Sequence, residues 1–407
     1  MAHEPGRLDA LTSLRFVAAL MIVLLHFDQI ILQGHETFLS RGLALQQGVS
    51  FFFVLSGFVL YYRYPVLVNL IACKKFFVAR FARIYPAYII STILFMVAVP
   101  SFMWCTAGNR SVWLFAATAT MIQSLIPKLQ YFYAINTPGW SISTEFVFYL
   151  LFPLLIYRWK ETRFIKLAVC VVATLTCLFL AHKLEAHPAT VESRGLFMWL
   201  LYVNPFVRCL EFMTGMLTAN LFLSIRTKYK PSNLQASMLQ VASLLLVAFC
   251  LVACKSAAPL SIDRLPGAGA YWVEGSGGFL AYALLVFGAS FSNGVVAKML
   301  SHPALIVLGE ISFSVYLLHW MLMDIFLIHL VDHSLVLSGP VLCAVYLTCV
   351  MTLSWMMHEL AEKPLRSLIK NALSARVKPK SNFSLADAQP FFNEEKLADG
   401  STPLSKV

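Results

Sequence analysis

Long apolar runs recur along the chain, separated by short polar or basic stretches. Ten of these runs are long enough for a helix to cross a bilayer: about 12–32, 47–63, 85–104, 142–158, 165–182, 209–225, 236–254, 276–291, 304–328 and 339–357. The pattern predicts an all-α integral membrane protein of about ten transmembrane helices around a central cavity, with both termini cytoplasmic. Segment 105–141 contains "VWLFAATATMIQSLIP", which is apolar but short, so it reads as interfacial or re-entrant. Counting it as a span would reverse the orientation of everything downstream. Segment 182–208 reads as a second polar outer loop. One membrane domain, 1–374, is expected, followed by a polar cytoplasmic tail, 375–407, of disorder-prone composition.

Composition agrees with this picture. The chain is 59% hydrophobic and 13% charged, with mean hydropathy +0.73, which excludes an ordinary soluble enzyme. The start of the chain lacks a basic n-region and a small-residue cleavage site, so the first span is expected to stay as an anchor. A net charge of +11 would suit nucleic acid, but position argues otherwise. Most of the 31 lysines and arginines fall in the segments assigned to the inside, among them Arg63, Lys74, Lys75, Arg80, Arg83 and the tail. That is the positive-inside asymmetry, and it gives orientation rather than a nucleic-acid partner. Nine cysteines lie mostly within apolar runs and show no CxxC or Cys/His spacing, so neither zinc nor a disulfide framework is expected.

Against this background the polar groups inside spans stand out. "LTSLRFVAALMIVLLHFDQ" carries Arg15 and His26 eleven residues apart, close to three turns, which places them on nearly one face and about 16 Å apart along the axis. A charge in a span costs at least about 2.5 kcal/mol on insertion scales and is read as functional by default. The competing reading is a snorkelling arginine and a histidine bonded to a neighbouring helix. "GVSFFFVLSGFVLYYR" places Ser56 and Gly57 mid-span, where small residues permit close helix approach. "FFVARFARIYP" puts Arg80 and Arg83 on one helix face; they serve either topology and lipid headgroups or a clamp for a phosphorylated cofactor.

"NTPGWSISTEFVFYL" offers Ser141, Ser143 and Glu145 near a helix start, where capping accounts for the serines and for the acid as well. Arg208 and Glu211 read as a structural ion pair. Ser312, Tyr316 and His319 recur at helical spacing in "LGEISFSVYLLHW", and His358, Glu359 and Glu362 close the last span. Two intramembrane histidines with an inward arginine cluster suggest acid–base chemistry in a membrane cavity.

The run "LDALTSLRFVAALMIVLLHF" resembles the opening signature of the acyltransferase-3 family of integral-membrane acyltransferases, with Arg15 and His26 matching its Arg-x10-His motif. "GVSFFFVLSGFVL", "RFARIYP", "WSISTEFVFYL", "RCLEFMTG", "LGEISFSVYLLHW" and "EKPLR" follow in the family's order, over roughly residues 8–368. Phe313 stands where relatives often have tyrosine, and the esterase-like domain fused to some members is not seen in this sequence. The resemblance implies transfer of an acyl group, usually acetyl, from acyl-CoA to a hydroxyl, typically of a glycan, at the cell membrane. No metal is implied.

On that reading His26 is the general base, Arg15 orients the pantetheine arm or stabilises negative charge, and Glu145 orients His26 or helps bind the acceptor. Arg80, Arg83, Lys74 and Lys75 receive the coenzyme A phosphates, and Ser141, Ser312, Tyr316 and His319 supply cavity or oxyanion groups. An acyl-histidine intermediate is the alternative route. Competing functions are acylation of a soluble small molecule on the cytoplasmic side, a secondary transporter and a polysaccharide-export partner.

Overall fold

The computed structural model describes residues 8–32, 42–67, 69–100, 104, 112–185, 190–255, 267–331 and 339–375. The expected tail lies outside them apart from Ala375. Every regular element described is helical. The helices are α1 (Asp9–Ile30), α2 (Gly48–Arg63), α3 (Leu70–Ala98), α4 (Val112–Ala119), α5 (Leu129–Phe132), α6 (Gly139–Ile156), α7 (Trp159–Leu184) and α8 (Val191–Met198). They continue with α9 (Pro205–Arg226), α10 (Asn233–Ala253), α11 (Ala268–Ser276), α12 (Phe279–Ala289), α13 (Val295–Leu300), α14 (Pro303–Val331), α15 (Gly339–Met357) and α16 (Lys363–Ala375).

Ten stretches are long and apolar enough to cross a bilayer, one for each expected span and in the same order. The chain is a multi-pass membrane protein. The helices α4 and α5, of eight and four residues, are too short to cross, as "VWLFAATATMIQSLIP" suggested.

Boundaries differ in three places. The third span begins at Leu70, so Lys74, Lys75, Arg80 and Arg83 sit on the same helix that enters the membrane. Asn69 starts that helix by accepting the Ala72 N–H at 2.9 Å, and the helix continues through Pro86, whose ring removes one backbone donor without ending it. The sixth span runs from Val191 to Arg226 through a π-helical turn at Trp199–Val203, after which Asn204 caps α9 and Pro205 occupies its first position. The last span continues past Met357 through a second π-turn, His358–Glu362, into α16.

The core lies around α2. Its span is 78% buried, against 17% for α7 and for α10, so α7 and α10 form the lipid-facing rim. Gly57 and Gly215 let α2 and α9 touch backbone to backbone. A Cβ at Gly57 would overlap the Phe212 carbonyl, and one at Gly215 the Val54 carbonyl. Small residues at such crossings trade side-chain bulk for close van der Waals packing. Gly309 does the same between α14 and α1, meeting the Thr12 carbonyl. That crossing carries α14 along α1 and brings its polar face opposite Arg15 and His26.

Candidate active site

Three cavities lie one after another along α1. The first is lined by Leu11, Thr12 and Arg15 of α1, with Ser56, Arg63 and Arg83, and holds about 800 Å³ of empty space including its mouth. The second, of about 390 Å³, shares Arg15, Phe52 and Glu145 with the first and adds Ser141, Ser312 and Tyr316. The third, again about 800 Å³, shares Val49 and Tyr316 with the second and is lined by Ile22, His26 and Gln29 of α1. Helix α2 runs the opposite way and contributes in reverse order, from Arg63 at the first to Val49 at the third. Arg15 and His26 therefore mark two stations of one path, spaced by the about 16 Å of three helical turns.

The first cavity is basic. Arg63 and Arg83 stand at its wall, and Arg366 of α16 lies within electrostatic reach of both and of Arg80. The two arginines of "RFARIYP" part company here. Arg83 faces the cavity, whereas Arg80 is buried with its guanidinium over the Tyr64 and Tyr149 rings, 5.5 and 5.9 Å from their centroids. Nε and Nη1 of Arg80 have no hydrogen-bond partner, an expensive state that desolvated cation–π contacts offset only in part. Lys74 and Lys75 are exposed on the same helix, outside the cavity wall.

Glu145 accepts hydrogen bonds from Ser56 Oγ at 3.1 Å and Tyr149 Oη at 2.5 Å and lines the first two cavities with Arg15. It belongs to the arginine station, not to the histidine one. Capping does not account for this segment, because α6 begins at Gly139 without a side-chain cap. Ser143 instead donates to the Met121 carbonyl and meets Ser124 Oγ, fastening the segment after α4 to α6.

In the second cavity the hydroxyls are already engaged. Ser141 Oγ donates to the Pro138 carbonyl at 2.9 Å and lies 2.8 Å from Tyr316 Oη, so Tyr316 donates to Ser141. Ser312 Oγ donates to the Gly309 carbonyl at 2.7 Å. Apart from Arg15 and Glu145 at the side shared with the first cavity, the rest of the wall is apolar, with Val49, Phe52, Phe53, Ile142 and Phe313.

The third cavity is aromatic. Tyr133, Trp140, Tyr202, Tyr316 and Trp320 surround His26, and Trp320 stands edge-on to the imidazole, centroids 4.9 Å apart. His319 does not line this space. It is fully buried behind His26, with its Nε2 3.0 Å from His26 Nδ1 and its Nδ1 2.7 Å from the Tyr316 carbonyl. Tyr346 Oη donates to the His319 carbonyl at 2.8 Å and holds that turn of α14.

Tyr133, Trp140 and Tyr202 of that wall come from the segments 105–141 and 182–208, and Tyr316 and Trp320 from α14. Trp199 Nε1 donates to the Ser124 carbonyl at 2.8 Å, tying those two segments together. Ile135 sits at φ 60°, an outlier for a β-branched residue, one position before Asn136, which donates to the Leu317 carbonyl at 2.9 Å. Strain of this kind costs about 1–3 kcal/mol and clusters at functional sites. Here it aims Tyr133 and Thr137 at the cavity.

The profile of the acyltransferase domain family matches residues 8–359, nearly the whole described chain. The chain belongs to the acyltransferase-3 family. It is 32% identical over 226 residues to Acyltransferase MdmB of Streptomyces mycarofaciens, a match covering 52% of this chain and 57% of that protein. It is also 25% identical over 213 residues to an uncharacterized protein of Haemophilus influenzae, covering 50% of this chain and 86% of that protein. No solved structure matches.

Within this member of the family, sequence reasoning missed the aromatic residues of the third cavity and gave Arg208 only a local role. Arg208 and Glu211 form a fully buried pair at 2.7 Å, and Arg208 also binds the Tyr202 carbonyl at 2.6 Å and covers the Tyr202 ring at 4.4 Å. The expected ion pair forms, and Arg208 also holds Tyr202 on the π-turn that forms the cavity wall. Asn-Pro after five bulky residues is weak warning of such a turn, since π-turns carry little sequence signal. Among the described residues no group of three or more His, Cys, Asp or Glu gathers as metal ligands.

Proposed function

We propose that this protein transfers an acyl group, in the first place acetyl, from acyl-CoA to a hydroxyl of an extracytoplasmic or lipid-linked glycan, with His26 as general base. The observation that carries the reading is the run of three cavities that share walls, basic and Arg15-lined at one end, aromatic and His26-lined at the other. Positive-inside orientation puts the basic end in the cytoplasm, where acyl-CoA is found.

The residues fit the two substrates. Arg63, Arg83 and Arg366 offer planar forked donors to the phosphates of coenzyme A, and the exposed Lys74 and Lys75 add longer-range attraction. Arg80, beneath Tyr64 and Tyr149, keeps a positive field at the mouth. The pantetheine arm passes Arg15 and Glu145, which hold its amides, and reaches the narrow apolar second cavity with the thioester leading. Aromatic faces in the third cavity suit the C–H faces of a sugar ring, and Gln29 and Thr137 supply polar contacts.

The reaction then balances without a further reagent. His26 takes the proton of the acceptor hydroxyl as its oxygen attacks the thioester carbonyl. The C–O bond forms, the tetrahedral intermediate collapses, the C–S bond breaks, and the proton passes from His26 to the coenzyme A sulfur. General base catalysis of this kind contributes about 10²–10⁴ in rate. Tyr316, at the junction of the second and third cavities, can turn its hydrogen from Ser141 to the developing oxyanion, with Ser141 and Ser312 shaping the wall.

The test is transfer of a labelled acetyl group from acetyl-CoA to a glycan acceptor by purified protein in detergent or nanodiscs. Acceptor-dependent product that is lost in His26→Ala is expected. Hydrolysis-free retention of label on acetyl-CoA, with transport of solute instead, would overturn the reading in favour of a transporter.

A further inference from the structure

The paired histidines are placed for more than packing. Their ring planes are parallel within 1°, with centroids 5.3 Å apart and the facing nitrogens at 3.0 Å. Face-to-face stacking would bring the centroids closer than that. These values describe two imidazoles joined edge to edge in one plane, the arrangement of a linear N–H···N hydrogen bond.

The proton positions follow from the partners. The Tyr316 carbonyl can only accept, so Nδ1 of His319, 2.7 Å away, carries a hydrogen. His319 is fully buried with no acidic partner among the described residues, a setting in which a charged ring would be costly. A neutral ring with hydrogen on Nδ1 has its lone pair on Nε2. The donor facing that lone pair is Nδ1 of His26. A neutral His26 with hydrogen on Nδ1 then has its own lone pair on Nε2, at the cavity side of the ring.

We infer that His319 is a positioning residue: through the Tyr316 carbonyl it fixes the tautomer and plane of His26, so that Nε2 of His26 is the atom that accepts the substrate proton. The inference rests on the reading of His26 as the base. Tyr346, on the His319 carbonyl, and Trp320, edge-on to His26, keep both rings in register. When His26 takes the proton its Nδ1–H stays bonded to a neutral acceptor, so the transient cation is held without a carboxylate.

Asparagine and glutamine at position 319 separate this from simple packing. Asparagine reproduces the Nδ1 donor to the Tyr316 carbonyl but offers nothing at the Nε2 position. Glutamine reaches the Nε2 position and presents an oxygen to His26 Nδ1–H. The inference predicts that His319→Gln keeps kcat within about tenfold of the parent, while His319→Asn and His319→Ala lose about 10²-fold or more, with KM for donor and acceptor little changed in all three. A structural role predicts the reverse order, with asparagine best.

Nitrogen-15 NMR of the histidine-labelled parent protein in membranes gives a readout independent of activity, the signals being assigned by comparison with folded His26→Gln. Hydrogen on Nδ1 of both His26 and His319 is expected; hydrogen on Nε2 of His26 overturns the inference. If His26→Ala keeps turnover, the base reading itself fails. If His26→Ala is dead while asparagine matches or exceeds glutamine at position 319, only the role of His319 falls.

Discussion

The two ends of the cavity path are built on opposite principles. The end that begins at Arg63 and Arg83 is held by charge, with several guanidinium groups whose mutual repulsion asks for an anion. The end that contains His26 has no lysine or arginine among the described residues of its wall and is held by ring edges and faces, with its own ion pair, Arg208–Glu211, sealed behind Tyr202. One end gathers like charges, and the other is closed in by packed rings. A mobile, highly charged donor needs attraction over distance, whereas an acceptor hydroxyl needs a fixed angle to a base. Each end also has a π-turn, Trp199–Val203 at the aromatic cavity and His358–Glu362 near the basic one. In the second, His358 Nδ1 lies 2.8 Å from Glu362 Oε2, to which Ser314 Oγ also donates. Such turns re-aim one side chain without ending a helix.

The contrast can be broken most severely at His26. His26→Ala is expected to lower turnover by about 10²–10⁴, with folding and donor affinity unchanged, as read by kinetics and by isothermal titration with coenzyme A. Loss of donor affinity together with turnover would mean that the two ends are not separate. Breaking the buried pair comes next. Arg208→Ala is expected to destabilise the protein by about 3–5 kcal/mol in thermal unfolding, because Glu211 is left charged and buried. The double variant Arg208→Met/Glu211→Leu should recover much of that stability while acceptor KM stays raised, since Tyr202 has lost its anchor.

Smaller effects sharpen the division. Arg83→Ala is expected to weaken coenzyme A binding by about 1.5–3 kcal/mol, with lysine restoring only part, because the forked geometry is lost. Acceptor KM should not move. Trp140→Ala is expected to do the opposite, raising acceptor KM by about 2- to 12-fold, the equivalent of about 0.5–1.5 kcal/mol for an aromatic contact, with donor KM unchanged. A common shift in both constants from either variant would merge the two cavities into one site.

The spans were legible because apolar length is a direct physical requirement of the bilayer, and Arg15 and His26 were legible because a polar group in a span is costly enough to need a reason. The glycine at position 57 also announced a close crossing, and its contact with Phe212 is that crossing. Helix ends were harder: the third span was expected to begin at about residue 85, yet Asn69 starts a helix that carries Lys74, Lys75, Arg80 and Arg83 into it.

Within the candidate site, pairings across the fold could not be read at all. Nothing in the spacing of residues 26 and 319 says that the rings share a hydrogen bond, and Glu145 lies by Ser56 and Tyr149, in the wall shared with Arg15, where sequence offered capping or His26 as its partners. Tyr133, Trp140, Tyr202 and Trp320 were invisible as a group because aromatics are common in membrane segments and only the fold gathers them.

On the proposed function, donor and acceptor meet from opposite sides of the membrane through one protein path. That meeting is tested most directly by reconstituting the protein in sealed vesicles of known orientation. Labelled acetyl-CoA is confined to the side of Arg63 and Arg83, and a glycan acceptor is confined to the other. The account predicts acetylated acceptor in this arrangement, with none formed when acetyl-CoA is supplied only on the His26 side. Product formed solely when donor and acceptor share the basic side would contradict it and assign the protein a small-molecule acceptor in the cytoplasm.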